Sequence, residues 1–194
     1  MKTVILMRHS AVQKIPNIDP NDTPLTLNGE SLAQRMFIHK DLLSVRSVYT
    51  SPYKRAYDTA RMSGRQVYAD DRLIERVVGQ PTESDADDWA LQYEDHDFKY
   101  QDGESLNEVK ARMTSFTNEL LDKLKDGETA AVVSHATAIC AYLLNFCSIT
   151  VTDPRLKTRE ITFGDRVILS GKLRTPCAFI MEWQDNILQT VRYL

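Results

Sequence analysis

The sequence predicts an α/β fold, a three-layer α/β/α arrangement around a mostly parallel central sheet. Three observations predict it. A short apolar run followed by a helix-forming stretch occurs three times. The first and third of those runs are apolar at successive positions, the pattern of strands covered on both faces. The 194-residue chain, 42% hydrophobic and 26% charged, is long enough to bury one sizeable core. Residues 1–194 therefore read as a single domain, with a lid-like excursion at about 76–102.

The first run, Thr3 to Met7, is a central strand that ends at Arg8-His9-Ser10. The Pro/Asn/Asp-rich stretch from Ile15 to Pro24 cannot propagate regular structure and is expected to be a loop. Thr26 is then a suitable N-cap for a helix whose Leu32, Ala33, Met36 and Phe37 recur at three- and four-residue intervals. A second short strand spans Ser44 to Thr50. It runs into Ser51-Pro52, where Ser can cap a helix and Pro can occupy its first position, and that helix is expected to reach about Met62.

Asp70 to Asp102 follows as an excursion, carrying seven acidic residues between Glu83 and Asp97. It closes at Ser105 and Glu108, a capping-box pair that opens a helix with Val109, Met113, Phe116 and Leu120 on its apolar face. The third unit is the Ala130 to Val133 strand, ending at Ser134-His135 before a helix beginning near Thr137. Arg166 to Leu169, Cys177 to Trp183 and Ile187 to Tyr193 look extended, the last two joined as a hairpin through Gln184-Asp185-Asn186.

Composition excludes several function classes. A formal net charge of −3 supplies no bulk attraction for nucleic acid or an anionic membrane. The apolar run Val4 to Met7 is too short for a signal-peptide core or a membrane span. Cys140, Cys147 and Cys177 are odd in number and lack metal-ligand spacing, so they are expected to be buried free thiols. A soluble, cytoplasmic protein with no nucleic-acid or membrane partner is expected. The sequence carries no signal for an oligomeric state.

In open α/β sheets, ligands bind outside the carboxyl ends of the strands, and His9, Arg55 and His135 fall at those ends or in the first helical turn beyond them. Taken singly, each has an ordinary explanation. Arg8-His9 could cap a strand and pair with a carboxylate, Arg55 could face solvent, and His135 could be a satisfied core histidine. Together, buried polar donors at such ends suit a bound anion.

The blocks Arg8-His9, Pro24-Leu25-Thr26, Ser51 to Ala56, Arg72 to Glu75, Gly103-Glu104-Ser105 and Ser134-His135 occur in order. In this the chain resembles the histidine phosphatase superfamily, the phosphoglycerate mutase-like fold, over residues 3 to about 147. The resemblance implies a metal-independent phosphomonoester hydrolase with no cofactor, acting on a small-molecule phosphomonoester through a phosphohistidine intermediate. By position, His9 matches the nucleophile and Arg8 and Arg55 match guanidinium clamps on phosphate. His135 matches a second histidine expected to become cationic when phosphate binds, and Glu75 matches the proton donor to the leaving group. Ser10, Arg76 and Ala136 are further expected substrate contacts.

The chain departs from the family pattern in four places. Ser10 and Ala136 stand where Gly is common, and the usual Trp-Asn pair is absent from the Ile15 to Pro24 loop. Val78 stands where mutases carry Tyr. These departures, and a chain shorter than typical cofactor-dependent mutases, favour hydrolysis over the alternative of a phosphoglycerate-type mutase. A non-catalytic phosphate-binding module on the same fold is the other alternative. His39, Lys54 and His96 are expected at the surface, and Trp89 and Tyr93 read either as lid residues facing substrate or as a small satellite core. If the acidic stretch Glu83 to Asp97 overhangs the site, it favours a monophosphate with a neutral or cationic remainder.

Overall fold

The computed structural model describes residues 1–81 and 89–194. Strand β1 (Lys2–Arg8) lies inside a six-stranded sheet with β2 (Ser47–Thr50), β3 (Gln66–Ala69), β4 (Thr129–Ser134), β8 (Cys177–Gln184) and β9 (Ile187–Tyr193), in the order β3-β2-β4-β1-β8-β9. The four strands from β3 to β1 are mutually parallel, while β8 and β9 add on antiparallel.

The uninterrupted apolar character of β1 follows from its place in this sheet. Val4 and Leu6 face a core with β8 and helices α4 (Leu106–Lys123) and α5 (Ala136–Leu143). Ile5 and Met7, pointing the other way, face a second core with helices α1 (Leu27–Phe37) and α2 (Lys54–Arg61). All four side chains are fully buried. Truncating one, as in Leu6→Ala, costs about 2–5 kcal/mol.

Register positions the site. Arg8 pairs with Ser134 across the parallel β1/β4 ladder, and Thr50 pairs with Val133 across β2/β4. The residues that follow, His9, Ser51 and His135, therefore leave the sheet at one common edge.

Local capping follows the chemistry of the sequence. The Thr26 side chain accepts from the Gly29 N–H at the start of α1, and Ser105 and Glu108 form the reciprocal capping box of α4. Gly29 is required by close approach, because a Cβ there would lie 2.1 Å from the Ala11 carbonyl oxygen. The tip of the β8/β9 hairpin places Asp185 and Asn186 at φ 51° and 60°, the left-handed conformation that a tight two-residue turn demands.

Several boundaries differ from the sequence expectation. The second strand begins at Ser47 rather than Ser44, and α2 begins at Lys54 with Tyr53 as N-cap. Pro52 is not its first residue. Ser51 instead lends its hydroxyl to the Tyr53 N–H and to His135. The Ile15 to Pro24 loop contains a single 3-10 turn, Pro20–Asp22, capped by Asp19.

Edge strand β3 has no apolar alternation to announce it, since most of its residues are exposed. Strands β5 (Ser148–Asp153) and β6 (Thr158–Phe163) were also not anticipated. With β7 (Arg166–Gly171) they form a separate three-stranded antiparallel sheet. The inward-facing positions of β6 are Arg159 and Ile161, so an arginine stands where the pattern calls for an apolar residue.

The 76–102 excursion contains the short helix α3 (Leu91–Glu94), and an antiparallel bridge between Gln80 and Gln101 joins its two ends. Among the described residues, no helix is long and apolar enough to cross a membrane. Cys140, Cys147 and Cys177 are free and buried.

Candidate active site

His9 is the first residue beyond β1, and its backbone N–H donates to the Ser134 carbonyl at 2.9 Å. Its ring Nδ1 lies 2.8 Å from the Ser10 carbonyl oxygen. A carbonyl can only accept, so Nδ1 carries the proton and Nε2 keeps its lone pair. Burial is the main force that lowers the imidazole pKa to about 3, opposed by the Ser10 bond and assisted by the charges of Arg55 and Arg8. At neutral pH the ring is an uncharged base with a fixed tautomer.

His135 is fully buried at the N-cap of α5, its ring 5.3 Å from that of His9. Its Nε2 lies 2.9 Å from the Ser51 hydroxyl, while buried Nδ1 has no partner among the described residues. Burial, followed by Arg55, His9, Arg112 and Arg8, holds its pKa well below the usual imidazole range. The cation expected from the sequence is thus a state that only added negative charge would stabilise.

Arg8 and Arg55 bring the positive charge. Arg8 Nη1 donates to the Leu173 carbonyl at 2.7 Å, and its buried Nε has no partner. Arg55 lies in the first turn of α2, with Nη1 on the Pro20 carbonyl at 2.6 Å and its guanidinium over the Tyr53 ring. Burial lowers the Arg55 pKa, yet a guanidinium so far above neutrality keeps its charge.

Glu75 is held at the start of α5. Its Oε1 accepts from the N–H groups of Arg76 and Ala138 at 2.9 and 3.0 Å, and Oε2 accepts from Thr137 at 3.2 Å. Oε2 is therefore the less occupied oxygen. Glu75, Arg8, Arg76 and Ala136 all line a cavity of about 310 Å³. His9, His135 and Arg55 are not among its lining residues, although Arg8 and Ala136 directly adjoin the two histidines in sequence.

The family model of the histidine phosphatase superfamily (branch 1) matches residues 4–162. The chain belongs to the histidine phosphatase superfamily. No curated protein matches the sequence. Three solved structures share this histidine phosphatase fold. A mycobacterial glucosyl-3-phosphoglycerate phosphatase with inorganic phosphate is similar with TM-score 0.71 and 21% identity, over 100% of this chain and 95% of its own. A phosphoserine phosphatase from Entamoeba histolytica in complex with phosphoserine gives TM-score 0.67 and 18% identity, over 99% and 97%. A putative alpha-ribazole-5'-P phosphatase from Escherichia coli gives TM-score 0.67 and 21% identity, over 100% and 95%.

In this histidine phosphatase, Ser10 does not take the position expected of it. Its hydroxyl donates to the Gly29 carbonyl at 2.6 Å, so its single proton is spent fastening the His9 loop to α1. The Ser10 N–H donates to Thr59 Oγ1, which fixes the same loop to α2.

Most of the acidic stretch, namely Glu83, Asp85, Asp87 and Asp88, lies outside the described residues, and Glu94, Asp95 and Asp97 do not line the cavity. Its described lining has Glu75 as the only carboxylate.

Sequence reasoning missed Arg112 on α4. Its guanidinium makes a paired ion contact with Glu104 at 2.8 and 2.9 Å and donates to the carbonyls of Arg72, Ile74 and Glu75. It therefore clamps the backbone that presents Glu75. No local pattern marks Arg112, because its partners lie far from it along the chain. His39 pairs with Asp41 and Lys54 with Asp58, both outside the site. His96 likewise does not line the cavity, whereas Trp89 does.

Proposed function

We propose that the protein hydrolyses small-molecule phosphomonoesters by way of a phosphohistidine at His9, with no metal in the chemical steps. The observation that carries this reading is the His9 ring: neutral, locked through Nδ1 to Ser10, and set among Arg8, Arg55 and His135.

In the first step the Nε2 lone pair forms a bond to phosphorus and the bond from phosphorus to the alcohol oxygen breaks. Arg8, Arg55 and His135 receive the charge on the phosphoryl oxygens. Glu75 supplies a proton to the departing alkoxide through Oε2. In the second step Glu75, now a carboxylate, takes a proton from water as the water oxygen attacks phosphorus. The bond from phosphorus to His9 then breaks, releasing phosphate. Arg76 and Ala136 are proposed to touch the alcohol portion, since both line the cavity beside Glu75.

We also propose that the chain acts as one domain in which described residues on either side of 82–88 wall the cavity. Arg76, Val78, Trp89 and Gln92 line it. A cytoplasmic location suits the three buried free thiols.

The test is rapid quenching with a radiolabelled phosphomonoester in the presence of a chelator. An acid-labile, base-stable phosphoenzyme that forms in the wild type and not in His9→Ala supports the reading. Phosphate binding without phosphate release would replace it with a binding module.

A further inference from the structure

The chain as a whole is acidic, with a formal net charge of −3, yet the cavity beside Glu75 is strongly cationic. Besides Arg8, it is lined by Arg76, Lys157, Arg159 and Lys172. None of these four forms an ion pair with a carboxylate among the described residues. Two of them are also deeply buried, Arg159 at 4% exposure and Arg76 at 9%. Arg76 feels the carboxylates of Glu75 and Glu104 without a direct ion pair, and no carboxylate among the described residues acts on Arg159. Buried cations so short of direct partners are stabilised by an added anion.

The two guanidiniums are held in place rather than idle. Arg159 Nη1 donates to the Tyr93 hydroxyl at 2.6 Å and to Cys140 Sγ at 3.1 Å, and its plane lies 4.6 Å over the Trp89 ring. Arg76 Nε donates to the Glu104 carbonyl at 2.7 Å. Each keeps a buried nitrogen with no partner, Nε in Arg159 and Nη2 in Arg76. Lys157 and Lys172 are exposed and complete the rim with mobile charge.

Because Glu75 lines this cavity and is the proposed donor to the leaving oxygen, the alcohol portion of a substrate extends into it. Resting on that phosphatase reading, the geometry points to a second anion site: the alcohol carries its own carboxylate or phosphate, received by Arg76, Arg159, Lys157 and Lys172. A planar guanidinium suits either anion through paired hydrogen bonds. The phosphoryl group to be cleaved lies against the histidines, and the permanent anion lies against the small antiparallel sheet.

The test uses four phosphate esters of equal chain length that differ at the far carbon: propyl phosphate, 3-phosphooxypropanoate, propane-1,3-diol bisphosphate and 3-aminopropyl phosphate. Calorimetric binding to His9→Ala measures the site without turnover. The carboxylate or the bisphosphate, or both, is expected to bind at least about tenfold tighter than propyl phosphate, and the ammonium ester no tighter. The stronger of the two anionic arms identifies the second group. Lys172→Gln and Lys157→Gln, both at exposed positions, are expected to shrink that ratio several-fold, and 0.5 M salt to shrink it further.

Competition against propyl phosphate turnover by the wild-type enzyme supplies the same ratio if His9→Ala does not fold. Equal binding of the propyl and both anionic esters, or a ratio unmoved by the lysine variants, overturns the second anion site. Loss of phosphate release from all four esters overturns the phosphatase reading instead, and the binding ratio still decides this one.

Discussion

The two parts of the site are built on different foundations. The histidine cradle hangs from the carboxyl edge of the main parallel sheet, where the β1/β4 register sets His9 beside His135 and backbone carbonyls tie down His9, Arg8 and Arg55. The neighbouring cavity leans on the small antiparallel sheet, which brings Arg159, with the two lysines at or near its strand ends. In the cradle the His9 tautomer is set and leaves a lone pair on Nε2, while Arg8 Nε and His135 Nδ1 have no partner among the described residues. Along the cavity, cations outnumber carboxylates among the described lining residues. The contrast suits the division of labour proposed above, in which the cradle carries the chemical step and the cavity selects the alcohol.

The sharpest way to break that division is at the nucleophile. His9→Ala is expected to lower kcat by about 10³-fold or more for every ester, with the phosphoenzyme absent in quenched-flow traces. A residual phosphoenzyme would move the nucleophile elsewhere. Glu75→Gln comes next, expected to cost about 10² to 10⁴ in kcat for alkyl esters and little for an aryl ester with a good leaving group. Equal losses for the two would remove the proton-donor role.

Arg55→Lys keeps the charge and removes the planar fork, so a loss of about 10² in kcat, larger than any change in KM, is expected from steady-state kinetics. Arg112→Met tests positioning from outside the cradle. Loss of its contacts to Glu104 and to the Arg72 and Ile74 carbonyls is expected to destabilise the fold by about 1–3 kcal/mol in urea titrations. The remaining folded enzyme should show a lowered kcat for alkyl esters and a nearly normal one for aryl esters, mirroring Glu75→Gln.

A separate expectation concerns stability against pH. His9 and His135 are held neutral by burial, with His9 lowered to about 3 and His135 also lowered, whereas in the unfolded chain both titrate near 6.5. Between those values the unfolded chain binds more protons. Stability is therefore complete above about pH 6.5 and falls as pH drops toward about 3, by up to about 1.4 kcal/mol per pH unit for each histidine. Denaturant titrations from pH 8 to pH 4 measure it. By the same sign, kcat/KM should show no acid limb near pH 6.5 from the free His9 ring.

Legibility divided along the same line as the chemistry. The cradle was readable because each of its residues sits directly beyond a strong local pattern: His9 after the apolar β1 run, His135 after the β4 run, and Arg55 just after Ser51-Pro52. Ser10 misled for a physical reason. A hydroxyl near a phosphate site suggests a donor to phosphate, and only the packing of α1 against the loop shows the Gly29 carbonyl taking that proton.

What the amino-acid order determined by itself was the alternation of covered strands and amphipathic helices, the caps of α1 and α4, and the residues placed at the strand ends. Periodicity and capping act over three or four residues and need no knowledge of distant partners. The tertiary structure alone decided the His9 tautomer, the pairing of His135 with Ser51, the Arg112 clamp on Glu75, and the gathering of Arg76 and Arg159 into one wall. All but the first join groups tens of residues apart. The His9 tautomer is set by the neighbouring Ser10 carbonyl, in a loop that Thr59 and Gly29 hold from afar. The burial that makes these features consequential exists only once the chain has closed around them.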